Sequence, residues 1–316
     1  MEADEMNRAS TSEENPGSKK VAKSQLNKKL MDACTDRDVK TAKKVILQGA
    51  NVNHRTSHDV TPILAAAEHG DVDLIALLCS QPNCTVDLQQ KTIYGATPLH
   101  LTVFFGHRQA MLELLRRGAS TICWDNLGRY PLHFAVTQKD VGAARVLLKY
   151  GAPVNVYDTF FESPLYNSVM RKPCVAMAKL LLANGASMDP PPQSHGLGLL
   201  LEAVLGVRVS SDLEAVKALI RAGANVNIAD PIARRTPLHL AAINGRLELA
   251  QYLIQHGADL YAENRAGQTP LEVAFNYRNL KVAHLIEDSR KLQTTSCTSQ
   301  ILETTVGSDS SINRLD

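Results

Sequence analysis

The chain has 316 residues, of which 44% are hydrophobic and 21% are charged, a composition typical of a globular protein. Its formal net charge of +2 at pH 7 lacks the strong positive charge expected of a nonspecific nucleic-acid binder or a basic membrane-surface protein. The six cysteines stand singly, which argues against a zinc knuckle or a disulfide framework and favours reduced thiols in an intracellular protein.

The two ends of the chain differ in composition from the middle. Residues 1–24 and 292–316 are rich in Ser, Thr, Glu and Lys and hold few large apolar side chains. We therefore expect two disordered tails around a folded domain of residues 25–291. The polar N-terminal stretch lacks the apolar centre of a secretory signal, and no stretch of about 18 residues is apolar enough to span a membrane. The sequence thus predicts neither export nor membrane insertion.

A short motif with proline at its second position recurs through the middle of the chain. It begins at Thr61, Thr97, Tyr130, Ser163, Thr236 and Thr269. The prolines are 36, 33, 33, 73 and 33 residues apart. The longest interval holds one further unit near Leu199–Ala203, whose opening motif is lost, and another unit precedes the series at Lys28–Asn53.

Each unit is predicted to be a helix–turn–helix. The opening Thr or Ser caps the first helix, and the proline occupies its first turn, where a missing N–H is no loss. A Gly-Ala pair then ends the second helix, because glycine adopts the left-handed conformation without a steric penalty. These pairs begin at Gly49, Gly118, Gly151, Gly185, Gly223 and Gly257.

The Thr-Pro-Leu-His motif, the Gly-Ala helix stop and the 33-residue period together resemble the ankyrin repeat. The resemblance covers residues 25–291 and implies an all-α solenoid of about eight helix–turn–helix units joined by β-hairpin-like loops. It also implies that His100, His133 and His239, at the fourth position of the motif, form hydrogen bonds within and between repeats. Metal binding by these histidines is therefore not expected.

Three irregularities interrupt the repeat pattern. Repeat 2 is three residues longer, and Gln81–Cys84 replace its Gly-Ala stop. Pro190–Pro192 lie between repeats 5 and 6, and Val207–Ser211 add a turn inside repeat 6. We expect these segments to bend or weaken the stack locally.

No motif for catalysis or for a cofactor is present. The chain lacks a phosphate-binding glycine loop, a Gly-x-Ser-x-Gly elbow, a His-Glu-x-x-His pair and any metal-spaced cluster, so we predict no catalytic residue, metal or cofactor. Asn53, Asn155 and Asn227 end Val-Asn dipeptides, a context similar to the sites that an asparaginyl hydroxylase modifies in ankyrin proteins. The usual acidic residue two positions earlier is absent, so these are candidate modification sites only.

Aromatic residues are concentrated in the central repeats: ten of the 15 lie between Tyr94 and Phe161. The resemblance implies that hairpin residues just before each motif, and those seven and eight positions beyond its start, face a concave groove. Such positions are usually polar when unused, and Trp, Tyr, Phe and Arg are enriched in binding hot spots. The predicted protein-binding residues are Tyr94, Phe104, Phe105, Trp124, Leu127, Arg129, Tyr157, Phe160 and Arg171. The alternative is packing beneath neighbouring hairpins, above all for Tyr130 and Phe161.

The leading hypothesis is a non-enzymatic adaptor or scaffold that holds a protein or peptide in the groove of repeats 3 to 5. We expect a monomer that binds no nucleic acid. The alternative is a substrate receptor of a ubiquitin ligase, although the segment after Lys291 is short and polar for the C-terminal box of such ankyrin proteins. We expect a cytoplasmic location. Lys19-Lys20 and Lys28-Lys29 resemble a split nuclear signal, but they fit a solvated helix face better.

Overall fold

The computed structural model describes residues 16–81, 86–188, 198–206 and 210–306. Within these ranges the backbone forms sixteen α-helices and a short π-helical segment, without a β-strand. Of the three predicted irregularities, residues 82–84, 190–192 and 207–209 lie outside the described residues, as do residues 1–15 and 307–316 of the predicted tails.

The α-helices form eight consecutive pairs, one for each predicted repeat. In chain order they are α1 (Pro16–Thr35) and α2 (Val39–Leu47); α3 (Pro62–His69) and α4 (Val72–Cys79); α5 (Pro98–Phe104) and α6 (Arg108–Arg116); α7 (Pro131–Thr137) and α8 (Val141–Lys149); α9 (Pro164–Tyr166) and α10 (Val175–Ala183); α11 (Leu199–Gly206) and α12 (Ser210–Arg221); α13 (Pro237–Ile243) and α14 (Leu247–Gln255); α15 (Pro270–Asn276) and α16 (Leu280–Val306). The predicted all-α solenoid of about eight helix–turn–helix units is confirmed.

The chain divides into two compact units. The first unit comprises residues 1–138 and 142–153, and the second comprises residues 139–141 and 154–316. Repeats 1 to 4 therefore belong essentially to the first unit and repeats 5 to 8 to the second. The predicted binding residues are divided in the same way.

Within each unit the helices pack in two layers. In the first unit α1, α3, α5 and α7 lie side by side, and α2, α4 and α6 form the layer behind them. In the second unit α11, α13 and α15 form one layer, while α14 packs on α16 in the other. Leucines such as Leu99, Leu132 and Leu238 are fully buried between the layers, and alanines allow close approach of neighbouring helices.

Where the proline motif is present, the first helix of the repeat begins directly after the predicted cap residue. Thr97, Tyr130, Ser163, Thr236 and Thr269 are N-caps with extended backbone, and a proline follows each of them in the first turn. Because the proline has no N–H, it removes a donor that would otherwise lack a helical partner.

Repeat 5 carries one residue more than its neighbours between its cap and its second helix. Val175 begins α10 twelve positions after Ser163, whereas Arg108 begins α6 eleven positions after Thr97. The extra residue is accommodated in a π-helical segment, Asn167–Arg171, where the Lys172 N–H donates to the Asn167 carbonyl at 2.9 Å. A π-helical turn is the usual result of inserting one residue into a helix.

Both predicted boundaries of the folded domain lie inside helices, since residue 25 falls in α1 and residue 291 in α16. Among the residues whose side chains are described, buried positions run from Asn27 to Ile286. How far the packed domain extends along these helices stays a prediction. No helix in the described part of the chain is long and apolar enough to cross a membrane.

A substitution at Gly151 tests whether the glycine after the second helix is needed for its left-handed backbone conformation. It has φ +81°, and a Cβ added there would meet no atom within 4 Å, so any cost of substitution is conformational. We expect Gly151→Val to lower the free energy of unfolding by about 1 kcal/mol or more, because a β-branched residue is strained in the left-handed region. Urea denaturation measures this, with Gly151→Asn as the milder control. Equal losses for Val and Asn would contradict a conformational cause.

Candidate protein-binding surface

In repeats 3 and 7 a buried histidine joins the first helix to the following hairpin. In repeat 3 the Thr97 backbone N–H donates to Nδ1 of His100 at 3.1 Å, and the Thr97 hydroxyl lies 2.8 Å from the same nitrogen. His100 Nε2 then donates to the Arg129 carbonyl of the next hairpin at 3.0 Å. His239 makes the same contacts with Thr236 and the Gln268 carbonyl. This confirms the role that the resemblance implied for these two histidines.

The protonation of His100 follows from its surroundings. It is fully buried, and burial lowers the pKa of its imidazole to about 4. Burial also lowers the pKa of His239. The neutral ring is required here, because Nδ1 must accept one hydrogen bond while Nε2 donates the other.

The predicted apolar binding residues of the first unit are exposed. Tyr94 is 73% exposed and Trp124 is 54% exposed. Phe104, Phe105 and Leu127 are exposed as well, together with Ile93 beside Tyr94. The expected alternative, packing beneath the neighbouring hairpin, applies in part to Tyr130, which is half-buried and contacts the ring of Trp124.

The phenylalanines form a connected cluster on the helices of repeats 3 and 4. The rings of Phe104 and Phe105 meet edge to face with centroids 5.0 Å apart, and Phe104 contacts the buried Phe134 at 6.0 Å. Phe105 also stacks on His107. Edge-to-face contacts of this kind hold exposed rings in defined positions.

Two adjacent hairpins are joined by hydrogen bonds beneath the exposed aromatics. The Asn126 N–H donates to the Tyr94 carbonyl and its side-chain amide donates to the Ile93 carbonyl, each at 3.0 Å. Lys91 Nζ donates to the Trp124 carbonyl at 2.8 Å, and its charge lies 5.6 Å from the indole centroid. These contacts order the surface before a partner arrives, which reduces the entropic cost of binding.

Arg129 stabilises its own hairpin, in addition to its predicted role in partner binding. Its guanidinium contacts the buried carboxylate of Asp125 through two nitrogens, at 2.9 and 2.7 Å, and lies 4.6 Å from the Phe134 centroid. The other Asp125 oxygen accepts the N–H groups of Leu127 and Arg129, so the residue fixes its own hairpin. Sequence reasoning identified the position but missed Asp125.

The remaining predicted residues lie in repeat 5 of the second unit. Phe160 is 67% exposed, Tyr157 is half-buried, and exposed Arg171 is paired with Glu162. Phe161 is exposed rather than packed away, and its φ is +59°. Glycine occupies the equivalent hairpin position in repeats 3, 4 and 8, so Phe161 holds a conformation that is costly for a bulky side chain.

The three candidate asparagines bridge consecutive repeats. The Asn155 amide donates to the Gly185 carbonyl at 3.0 Å and its oxygen accepts the Ser187 N–H at 2.7 Å. Asn227 makes the same pair of bonds with Gly257 and Asp259. Asn53 accepts the N–H of Asp87. These bonds give the asparagines a structural role, while their modification stays a prediction.

The chain is a helical-repeat protein with paired helices, hairpins joined by hydrogen bonds and an exposed aromatic face. These features are typical of a protein-interaction module. Ankyrin repeats in three copies match residues 30–123 and 200–295, and a single ankyrin repeat matches residues 127–159. The chain therefore belongs to the ankyrin repeat family.

Several proteins of known name are similar to this chain. It is 24% identical over 246 residues to the putative palmitoyltransferase ZDHHC13 of Danio rerio, covering 77% of this chain and 32% of that protein. It is 44% identical over 75 residues to ankyrin repeat domain-containing protein 13B of Homo sapiens, covering 23% and 12%. It is also 44% identical over 78 residues to human protein phosphatase 1 regulatory subunit 27, covering 25% and 47%. The chain thus spans about a third of the length of ZDHHC13.

The lowered pKa of His100 predicts a pH-dependent stability. Unfolded histidine has a pKa of about 6.5, so between pH 6.5 and about 4 the unfolded chain binds a proton that the folded chain excludes. The free energy of unfolding should therefore decrease as the pH is lowered from 6.5 to about 4. This histidine contributes up to about 1.4 kcal/mol per pH unit to the decrease. Urea denaturation at pH 7.5 and 5.0 measures the slope, which should be smaller in His100→Asn. An identical slope in both proteins would show that His100 takes up no proton on unfolding.

The left-handed backbone at Phe161 predicts a stabilising substitution. Phe161→Gly should raise the free energy of unfolding by about 0.5–1 kcal/mol, since the relieved strain exceeds the entropy that glycine adds to the unfolded chain. The neighbouring Phe160→Gly, at a residue without positive φ, should bring no gain. A loss of stability in Phe161→Gly equal to that in Phe160→Gly would contradict the assignment.

Proposed function

We propose that this protein is a non-enzymatic adaptor that holds a partner protein on the exposed aromatic surface of repeats 3 and 4. The surface comprises Tyr94, Phe104, Phe105, Trp124 and Leu127. The observation that carries the proposal is that these five side chains are exposed although they are large and apolar. Exposed apolar clusters of this kind mark interaction sites, and family membership points the same way.

The surface favours a partner segment that is itself apolar. Trp and Tyr supply large contact areas with little loss of side-chain entropy, which is why they dominate hot spots. The hydrogen bonds between the hairpins keep Tyr94 and Trp124 in place, so little ordering remains for the binding step. Lys91, close to Trp124, adds one positive charge at the edge of the surface.

Repeat 5, in the second unit, carries the remaining residues that the sequence assigns to partner binding. Its contributing residues are Tyr157, Phe160 and Arg171, of which Phe160 presents the largest exposed apolar side chain. We further propose a cytoplasmic location and a monomeric state, in keeping with the sequence-based expectations.

The proposal predicts that Phe105 and Trp124 lie against the partner protein in cells. A photo-crosslinking amino acid placed at Phe105 or Trp124 should capture the same protein from cells, whereas the probe at Leu47 should not. Leu47 is a matched control because it is also apolar and exposed in the first unit, on α2.

The captured protein is then purified and titrated by calorimetry. Phe105→Ala combined with Trp124→Ala should weaken its affinity by about 1,000-fold, since hot-spot truncations typically cost about 2 kcal/mol each and every ~1.4 kcal/mol is a factor of ten. Leu47→Ala should leave the affinity unchanged, and the melting temperature should stay within a few degrees in all variants. Normal binding by a folded double variant would show that this surface is not the interface.

A further inference from the structure

The hairpin of repeat 7 is one residue longer than its counterparts. The Asp230 N–H donates to the Arg235 carbonyl, whereas the corresponding bonds elsewhere span one residue less, as from Asp125 to Arg129 and from Asn264 to Gln268. We name residues 230–235 the repeat-7 tip. The additional residue makes room for Ile232, which is 75% exposed.

An internal carboxylate stabilises the repeat-7 tip. Asp230 Oδ1 accepts the N–H groups of Ile232 and Ala233 at 3.0 and 2.6 Å, and Oδ2 accepts the Arg235 N–H at 2.8 Å. Burial alone would raise the pKa of Asp230, but these bonds, together with the charge of Arg235, lower it. The tip is also joined to the next hairpin, because the Arg265 N–H donates to the Ala233 carbonyl and Arg265 Nη1 donates to the Ile232 carbonyl. A protruding apolar residue is therefore presented on an ordered loop.

Two clefts adjoin the repeat-7 tip, and Pro231 and Ile232 line both of them. One, of about 320 Å³, is largely apolar and is lined by Leu205, Pro231, Ile232, Ala233 and Leu240, with Asp230 and Arg235 also lining it. The other, of about 500 Å³, is polar and is lined by Arg234, Glu263, Asn264 and Arg265 together with Pro231, Ile232 and Gly267. An apolar recess thus adjoins a group of arginines.

The two arginines of the repeat-7 tip are available to pair with a carboxylate of a partner. Among the described residues, neither Arg234 nor Arg235 forms an ion pair with a carboxylate, and both are exposed. Arg234 has φ +54° at the hairpin position where Gly95, Gly128 and Gly267 stand in other repeats. A residue kept in such a conformation carries a cost that glycine would avoid.

We propose that the repeat-7 tip binds an acidic polypeptide segment that carries one large apolar residue. The apolar side chain occupies the cleft beside Leu205 and Leu240, and carboxylates on either side of it contact Arg234 and Arg235. Arginine suits this task because its planar guanidinium pairs with a carboxylate through two hydrogen bonds. The carboxylates of Asp230 and Glu263 disfavour a continuous phosphate backbone, whereas a peptide can space its charges around them. This surface lies wholly in the second unit and does not depend on the aromatic surface of repeats 3 and 4.

The test uses the full chain and a defined probe. The probe is a fluorescein-labelled peptide with one leucine flanked on each side by two glutamates and two serines, and its binding is followed by fluorescence polarisation. Arg234→Gly should weaken binding about tenfold. Because glycine accepts the left-handed backbone, this variant should be at least as stable as the parent chain.

Arg278→Gly is a matched control. Arg278 is an exposed arginine of the same unit, at φ +59°, in the connection between α15 and α16. The control removes the same charge and relieves the same backbone strain, and it should leave peptide affinity unchanged. A second probe with alanine in place of leucine should bind the parent chain about tenfold more weakly, because the apolar cleft then stays empty.

Each outcome bears on the proposal. Equal losses in Arg234→Gly and Arg278→Gly would mean attraction to net charge alone, and equal binding of the leucine and alanine probes would mean that the cleft is not used. Equally effective competition by a single-stranded RNA of the same charge would indicate a general polyanion surface. Any of these three results, or the absence of binding by the parent chain, overturns the proposal.

Discussion

The hydrogen bonds of one buried imidazole, His100, hold the register on which the proposed binding surface of the first unit depends. By accepting from the cap residue and donating to the Arg129 carbonyl of the following hairpin, the ring connects a helix start to a loop 29 residues further along the chain. That loop carries Trp124 and Leu127, so their position relative to Phe104 and Phe105 is set by a side chain that is itself fully buried. His239 makes the equivalent connection between repeats 7 and 8.

A repeat built in this way separates the residues that fold from those that bind. Inward positions are occupied by Leu and Ala in each unit, and by the capping histidine in repeats 3, 4 and 7. Outward positions on the hairpins and on the first helices experience little packing constraint, so their identity is available for recognition. Large apolar residues at such positions add much less to the free energy of unfolding than buried ones do. Their exposure in repeats 3 and 4 therefore favours a role in binding.

The periodic features were predictable from sequence because each has a local physical cause. Proline in the first turn, glycine after the second helix and the 33-residue interval determine eight helix pairs, and the structure has them. The extra residue of repeat 5 was also present in the sequence, as a longer distance from Ser163 to the Gly185 stop than from Thr97 to Gly118. Its consequence, a π-helical segment rather than a longer loop, depends on packing that periodicity does not describe. The pairing of Arg129 with Asp125 was missed for the same reason, since tertiary contacts decide which charges are already neutralised.

In each hairpin before a proline motif, one position, two residues before the cap, has a left-handed backbone, and its residue type bears on where a partner protein would bind. Glycine holds this position in repeats 3, 4 and 8, while Phe161 and Arg234 hold it in repeats 5 and 7 at φ +59° and +54°. Glycine would remove the strain at both sites without disturbing the core, because both side chains are exposed. Neither packing nor backbone preference therefore explains a phenylalanine or an arginine there. What the two side chains add is an exposed apolar group in one hairpin and an exposed cationic group in the other. The cost is reasonable if each side chain contacts something outside this chain, as local strain is commonly retained where a site has work to perform.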